Sequence, residues 1–402
     1  MLLSDLFAQF LPKVFSYGDE FFSLVCATFL LAYVIKTKKI KKYHLLFLLV
    51  VFIGCIGNAI WGVRDNISTI ISDMFVFTKI YIILMYSDIV ISQRVAHDVY
   101  EVMINISEIF LLLLTAFSLI TLVVPFDMTV GHRSFRFYCG YAGVVAWWTT
   151  LFMAVIYGGC PQKRFRYWVM ATIVIIRTGS GFGLLAIALV PLVYLFIEKQ
   201  KKFKWYYAIL AVPFVLFIAR NEISEYLLNG RAPRFLLFYY AFVTAIRYFP
   251  LGSGFSTYGS VQALRYYSPL YTKYGFSHMY GMTQDTSKGT ALLDTYYPQV
   301  IAQTGIVAMA VYIKYMYTVV QKMILTINNA ELKYGSLYLM ICWLIAGLGF
   351  STASAWGSTV FFLFPIFSKV DTGDKNNTWK ISNISKVEAE FALKNCWPEV
   401  CV

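Results

Sequence analysis

FFSLVCATFLLAYVIKTKKIKK, residues Phe21 to Lys42, decides the class of fold. Phe21 to Ile35 carries no charge and is apolar apart from Ser23 and Thr28, and KTKKIKK (Lys36 to Lys42) then places five lysines within seven residues. An uncharged helix followed at once by clustered cations is a membrane span whose basic end stays on the cytoplasmic side. The same alternation recurs along the chain. Apolar blocks of roughly 17 to 25 residues match the thickness of a bilayer, and within lipid each segment must close its own backbone hydrogen bonds, so the blocks are helices.

Composition agrees. Of 402 residues, 59% are hydrophobic and only 14% charged, with mean hydropathy +0.64, against about 25% charged in soluble domains. The net charge of +13 falls largely on short loops between spans, where it sets orientation, so nucleic acid is not an expected partner. Seven cysteines and four histidines are scattered without metal-ligand or disulfide spacing. No metal or cofactor is expected. Residues 2 to 17 are broken by Asp5, Gln9 and Lys13 and lack a small-residue cleavage site, unlike a signal peptide.

The expected fold is all-α: a polytopic integral membrane protein with about 11 (10–12) transmembrane helices. After Phe21 to Ile35, spans are expected at His44 to Val63, Ile67 to Ile91, Ile109 to Pro125 and Tyr138 to Tyr157, with residues 93 to 107 a polar cytoplasmic stretch. Asp73, Lys79 and Asp88 within the third of these point to a bundle interior or a cavity. Trp168 to Ile176 is too short to cross about 30 Å. It ends in Arg177-Thr178-Gly179-Ser180-Gly181-Phe182-Gly183, whose glycines break a helix. Spans follow to Ile197, at Trp205 to Ala219, at Asp294 to Val319, and as a hairpin of Leu337 to Phe350 with Val360 to Phe367. Four regions result: an N-terminal transmembrane bundle (1–219), a large extracytoplasmic loop (220–293), C-terminal transmembrane helices (294–368) and a cytoplasmic tail (369–402).

The loop carries the chemistry. It opens with NGRAPRF (Asn229 to Phe235) and holds seven basic residues, Arg220, Arg231, Arg234, Arg247, Arg265, Lys273 and Lys288, against Glu222, Glu225 and Asp285. Five of the seven are arginine, whose planar fork of donors suits phosphate. Pro233 suits a first helical turn and Pro250 ends the helix. Its apolar middle is too short to span, so an amphipathic helix in the membrane interface is expected. Arg234 and Arg247, thirteen positions apart, would stand about 20 Å from each other; Arg231 and Arg234 are the leading phosphate-binding pair, with headgroup anchoring the plainer alternative. Nine tyrosines between Tyr239 and Tyr280, Tyr240 among them, are either ordinary interface residues or platforms for sugar rings. His278 is the loop's sole histidine. Arg177 either pairs with Asp73 or Asp88 or faces a ligand. Asp294, beside Tyr296, reads equally as a helix N-cap and as a site residue.

Three stretches resemble the bacterial O-antigen polymerase and ligase superfamily, in that family's order: IIRTGSGFGLL (Ile175 to Leu185), RFLLFYYAFVTAIRYFPLGSGFSTYGS (Arg234 to Ser260) and DTYYPQVIAQTGIVAMAVYI (Asp294 to Ile313). The resemblance implies metal-independent glycosyl transfer at the outer face of the bacterial cytoplasmic (inner) membrane. A glycan on undecaprenyl diphosphate is donor, a sugar hydroxyl attacks its anomeric carbon, and the lipid diphosphate leaves. It points to Asp294, Arg234 and Arg177 as catalytic, with Arg231, Arg247, Arg265, Tyr296, Tyr240 and His278 contacting substrate. Partners so implied are the lipid-linked oligosaccharide, membrane lipids, a chain-length regulator and a flippase. Ligases of this kind often show His-Asn where this chain has Leu293-Asp294, which favours a polymerase of repeat units for O-antigen, capsule or exopolysaccharide. A ligase and a lipid-linked glycan transporter are the rival readings.

Overall fold

The computed structural model describes residues 17–123, 135–137, 142–198, 232–287, 290–349 and 355–373. Among them every regular element is a helix. We number the helices α1 (Gly18–Thr37), α2 (His44–Trp61), α3 (Ile67–Ile89), α4 (Gln93–Val123), α5 (Ala142–Gly159), α6 (Arg164–Thr178), α7 (Gly181–Glu198), α8 (Pro233–Arg247), α9 (Val261–Arg265), α10 (Pro269–Lys273), α11 (Tyr297–Met323), α12 (Ala330–Gly349) and α13 (Ala355–Gly373). Seven are long and apolar enough to cross a membrane: α1 to α5, α11 and α12. This is a multi-pass membrane protein. The expected span at 205–219 and the tail beyond 373 lie outside the described residues.

Two ends of the bundle are distinguishable. The lysine end holds Lys38 to Lys42, and the loop end holds residues 232–287 and 290–296. α5 is the innermost helix, with Val144 to Gly158 buried on every side by α4, α6, α7 and α12. A sequence such as AGVVAWWTTLFMAV fits such a place because it offers no polar face: its two threonines donate their hydroxyls to the helix's own carbonyls, Val145 O and Ala146 O. Conversely, α4 begins sixteen residues earlier than the span expected from Ile109. Residues 93 to 107 are helical too: Ala96, Tyr100 and Ser107 continue the buried stripe of Leu111 and Leu114, and the polar residues occupy the other face.

The charges of α3 face inward, as their position in an apolar helix required. Lys79 Nζ meets Asp19 Oδ2 at 2.5 Å and Glu20 Oε1 at 2.7 Å. Asp88 takes Lys41 Nζ at 2.7 Å, His44 Nε2 at 3.1 Å and the Tyr43 hydroxyl. Arg177 therefore does not share either of the expected carboxylates; its Nε donates to Ser118 O at 3.3 Å. Lys369 donates to the carbonyls of Ser87 (2.8 Å) and Ile91 (2.5 Å), where a helix C-terminus leaves acceptors free and a cation is favoured. Since α13 runs on to Gly373, the C-terminal tail starts later than residue 369.

α6 and α7 meet at Gly179, which adopts φ +64° and returns its N–H to the carbonyls of Ile175 and Ile176 at 3.2 Å. A left-handed residue of this kind closes a helix, and glycine takes it without a Cβ clash. Fifteen residues make α6 about 22 Å long, short of a full crossing.

Candidate functional site

α8 starts as the sequence required, with Ala232 extended and Pro233 in the first turn, and it runs to Arg247. Its buried side, Leu237, Ala241 and Ala245, joins a second apolar cluster made with the loop's own tyrosines. Tyr240 stacks on Tyr274 (ring centroids 4.5 Å apart) and Tyr271 on Phe276 (5.6 Å). Tyr258 and Tyr271 are fully buried and hydrogen-bonded, to Leu237 O (2.8 Å) and from Gly259 N (2.7 Å). Burial pushes the Tyr258, Tyr271 and Tyr274 hydroxyls above the ordinary phenol range. Most of the expected sugar platforms are thus the core of the loop. Tyr239, Tyr266 and Tyr280 keep exposed rings.

The loop does not simply cover the membrane end. Gly252 to Ser260 is buried and penetrates the bundle between α2, α3 and α11. α11 makes room by breaking at Gly305 (φ 80°, ψ 176°). The break frees the carbonyls of Ala302 and Gln303, which accept the N–H groups of Ser253 and Gly254, each at 2.9 Å. Gly252 (φ +74°) lies directly on the Gly305 backbone, and a Cβ on either glycine would collide with the other's main chain. Asn58 clamps Phe255 on both sides, with Nδ2 donating to its carbonyl (2.9 Å) and Oδ1 accepting its N–H (2.6 Å). Asp73 Oδ2 accepts from Ser256 N (2.6 Å) and Gln303 Nε2 (2.8 Å). Irregular backbone at this depth survives because protein groups satisfy it. No composition signal in the sequence marks this insertion.

Two residues that the sequence singled out separately meet where the loop joins the membrane helices. Arg234 Nη2 reaches Asp294 Oδ2 at 3.2 Å, across sixty residues of sequence, with side-chain exposures of 19% and 38%. α11 begins at Tyr297, so Asp294 is not its cap. Instead the linker carrying Asp294 is tied to the end of α12 by Tyr296 N to Gly347 O (3.0 Å) and Tyr297 OH to Leu344 O (2.7 Å). Arg234 Nη1 faces Gly349 there, at a C-terminal helix end, where a cation is favoured. Burial raises the Asp294 carboxyl above its ordinary range, and the Arg234 charge and hydrogen bond partly offset this. The arrangement sets a largely buried guanidinium against a part-exposed carboxylate: a fixed cation beside a group able to accept a proton.

Other expected residues are dispersed. The hydroxyls of Tyr338 and Tyr334 donate to Ala186 O (3.2 Å) and Val190 O (2.5 Å), and this antiparallel register sets the Gly179 turn, with Arg177, level with the last turn of α12. Arg177 thus shares the loop end with Arg234 and Asp294. Arg247 is exposed at the far end of α8, while Arg265 and His278 are exposed on the loop. Tyr296 is fully buried, its hydroxyl 2.7 Å from that of Tyr81, and so sits within the bundle rather than on a ligand surface. Arg231 lies outside the described residues. Among the described residues no group of three or more histidines, cysteines and carboxylates could hold a metal. A cavity of about 210 Å³ opens at the lysine end among His97, Tyr100, Glu101, Asn329 and Asp371, and no expected site residue among those described lines it. No family model, curated protein or solved structure matches the chain.

Proposed function

We propose that the protein is a glycosyltransferase that joins oligosaccharide repeat units carried on undecaprenyl diphosphate, at the outer face of a bacterial cytoplasmic membrane. The observation that carries this reading is the Arg234–Asp294 pair at 3.2 Å, part-exposed where the loop meets the membrane helices. A leaving diphosphate gains charge as the glycosidic bond to it breaks, and a pre-positioned guanidinium in a site partly shielded from water stabilises that charge. Asp294, whose carboxyl is held above its ordinary range, is suited to take the proton of the attacking sugar hydroxyl. The new bond forms between that oxygen and the donor's anomeric carbon; the pair of electrons leaves with the lipid diphosphate. Arg177, at the same end of the bundle, is a second cation for the diphosphate. The order of the three resembling stretches supports the same reading.

The test is the surface glycan ladder of cells carrying Arg234→Ala in place of the wild-type protein. We expect the ladder to collapse to a single repeat on its lipid anchor, with the protein still inserted in the membrane. Wild-type chain lengths would remove Arg234 from the site. Long chains accumulating on undecaprenyl diphosphate, with none transferred, would identify a ligase instead.

A further inference from the structure

Three buried polar atoms without a hydrogen-bond partner converge on one residue of the inserted loop: Asp73 Oδ1, Arg64 Nη2 and Ser256 Oγ. Their proximity follows from covalent geometry. Ser256 N donates to Asp73 Oδ2 at 2.6 Å, and Arg64 Nε donates to Ser256 O at 3.3 Å. The unpartnered oxygen and nitrogen are the second arms of the same carboxylate and the same guanidinium, and the hydroxyl belongs to the residue whose backbone joins them. The Ser260 hydroxyl, which accepts from Ala263 N at 3.2 Å, is a further hydrogen-bonding partner of the carboxylate. Asp73 and Ser256 are completely buried. An unsatisfied buried polar group is destabilising, and Ser256 further holds φ +65°, a conformation non-glycine residues rarely take. Unmet polar capacity and backbone strain coincide where a rigid loop contacts two helices.

We propose that Arg64, Asp73 and Ser256 form a carbohydrate subsite that takes the hydroxyls of a sugar ring. The proposal rests on the glycan reading above and adds to it where the sugar, as distinct from the diphosphate, is held. The donor–acceptor balance selects the ligand. One carboxylate, one guanidinium and one hydroxyl have no net charge between them and gain little from a dianion, whereas neighbouring ring hydroxyls, each donor and acceptor, satisfy all three. A stacking face is at hand: Tyr266, half-exposed, lies within electrostatic reach of Arg64. Arg64, only half-buried in the turn between α2 and α3, is the long side chain whose rotation opens the subsite.

The test uses the full-length protein in nanodiscs and two probes. One is undecaprenyl diphosphate without sugar. The other is free oligosaccharide released by mild acid from the lipid-linked pool of the same cells. Binding is measured by calorimetry for wild type, Arg64→Gln, Ser256→Gly (which keeps the left-handed backbone) and Arg234→Ala. The subsite requires that Arg64→Gln and Ser256→Gly weaken oligosaccharide binding at least tenfold and leave undecaprenyl diphosphate binding within twofold, with the reverse pattern for Arg234→Ala. If wild type binds both probes and oligosaccharide binding is unchanged in Arg64→Gln and Ser256→Gly, the subsite is wrong while the glycan reading stands. If wild type binds neither probe, the glycan reading itself fails and the subsite with it.

Discussion

Arg234 and Asp294 are unequal partners: the guanidinium is the more enclosed and the carboxylate keeps the larger opening. If Arg234 serves a diphosphate, its fork geometry matters as well as its charge. Arg234→Lys is therefore expected to retain at most a few per cent of polymer formation, measured as ladder intensity at matched protein level. Full activity in Arg234→Lys would reduce its role to a point charge. Asp294 permits a pH test. Burial raises its folded pKa, so its contribution to stability is present below the unfolded value, about 3.9, and is lost as pH rises through the folded value. Asp294→Asn escapes that loss. Relative to wild type, the variant should gain thermal stability between pH 4 and pH 8 in the same detergent; a relative decline over that range would mean the Arg234 attraction outweighs burial. Both residues were legible as unusual charges at helix entries. That they meet was not, because their contact spans sixty residues and depends on how α12 ends beside them.

At the scale of elements, the join between the loop and α11 is the most demanding piece of packing. Gly252 and Gly305 touch backbone to backbone, each with positive φ. Gly305→Ala adds both a left-handed alanine, at about 1–3 kcal/mol, and a main-chain collision, so we expect a marked loss of thermal stability and of folded yield by size-exclusion. An unchanged profile would mean α11 can straighten. The Lys79 cluster gives a second prediction. Removing one partner of a buried ion pair costs about 3–5 kcal/mol, so Lys79→Met should destabilise strongly, and adding Asp19→Asn should recover part of the loss in thermal unfolding. Such local facts divide by how far their causes lie in sequence. The α6–α7 break was readable because Gly179, Gly181 and Gly183 stand together. The α11 break was not, since a lone glycine in an apolar helix is usually accommodated and here the loop that fills the break comes from fifty residues upstream. The run from Gln93 reads in sequence only as a polar stretch because its polar face hides the stripe of Ala96, Tyr100 and Ser107.

Over the whole molecule, apolar block length and lysine clustering made the multi-pass helical architecture plain, since both are dictated by the bilayer. The loop's interior was less so: its tyrosines were recognised, but aromatic residues that bury one another look in sequence like those that await a ligand. The arrangement predicts sidedness. Cysteine placed at Tyr280, 83% exposed, should react with a membrane-impermeant maleimide in intact cells above the background of native cysteines, and cysteine at Lys39 only after lysis. Inverted labelling would put the loop in the cytoplasm and overturn the donor assignment.

The central claim is tested most directly by reconstituting the purified protein with radiolabelled undecaprenyl-diphosphate repeat units and following lipid and glycan together. The account predicts glycans of two or more repeats, one undecaprenyl diphosphate released for each bond formed, and neither product with Arg234→Ala. Donor that remains a single repeat with its lipid diphosphate attached, in vesicles where the folded protein demonstrably binds it, would contradict the account.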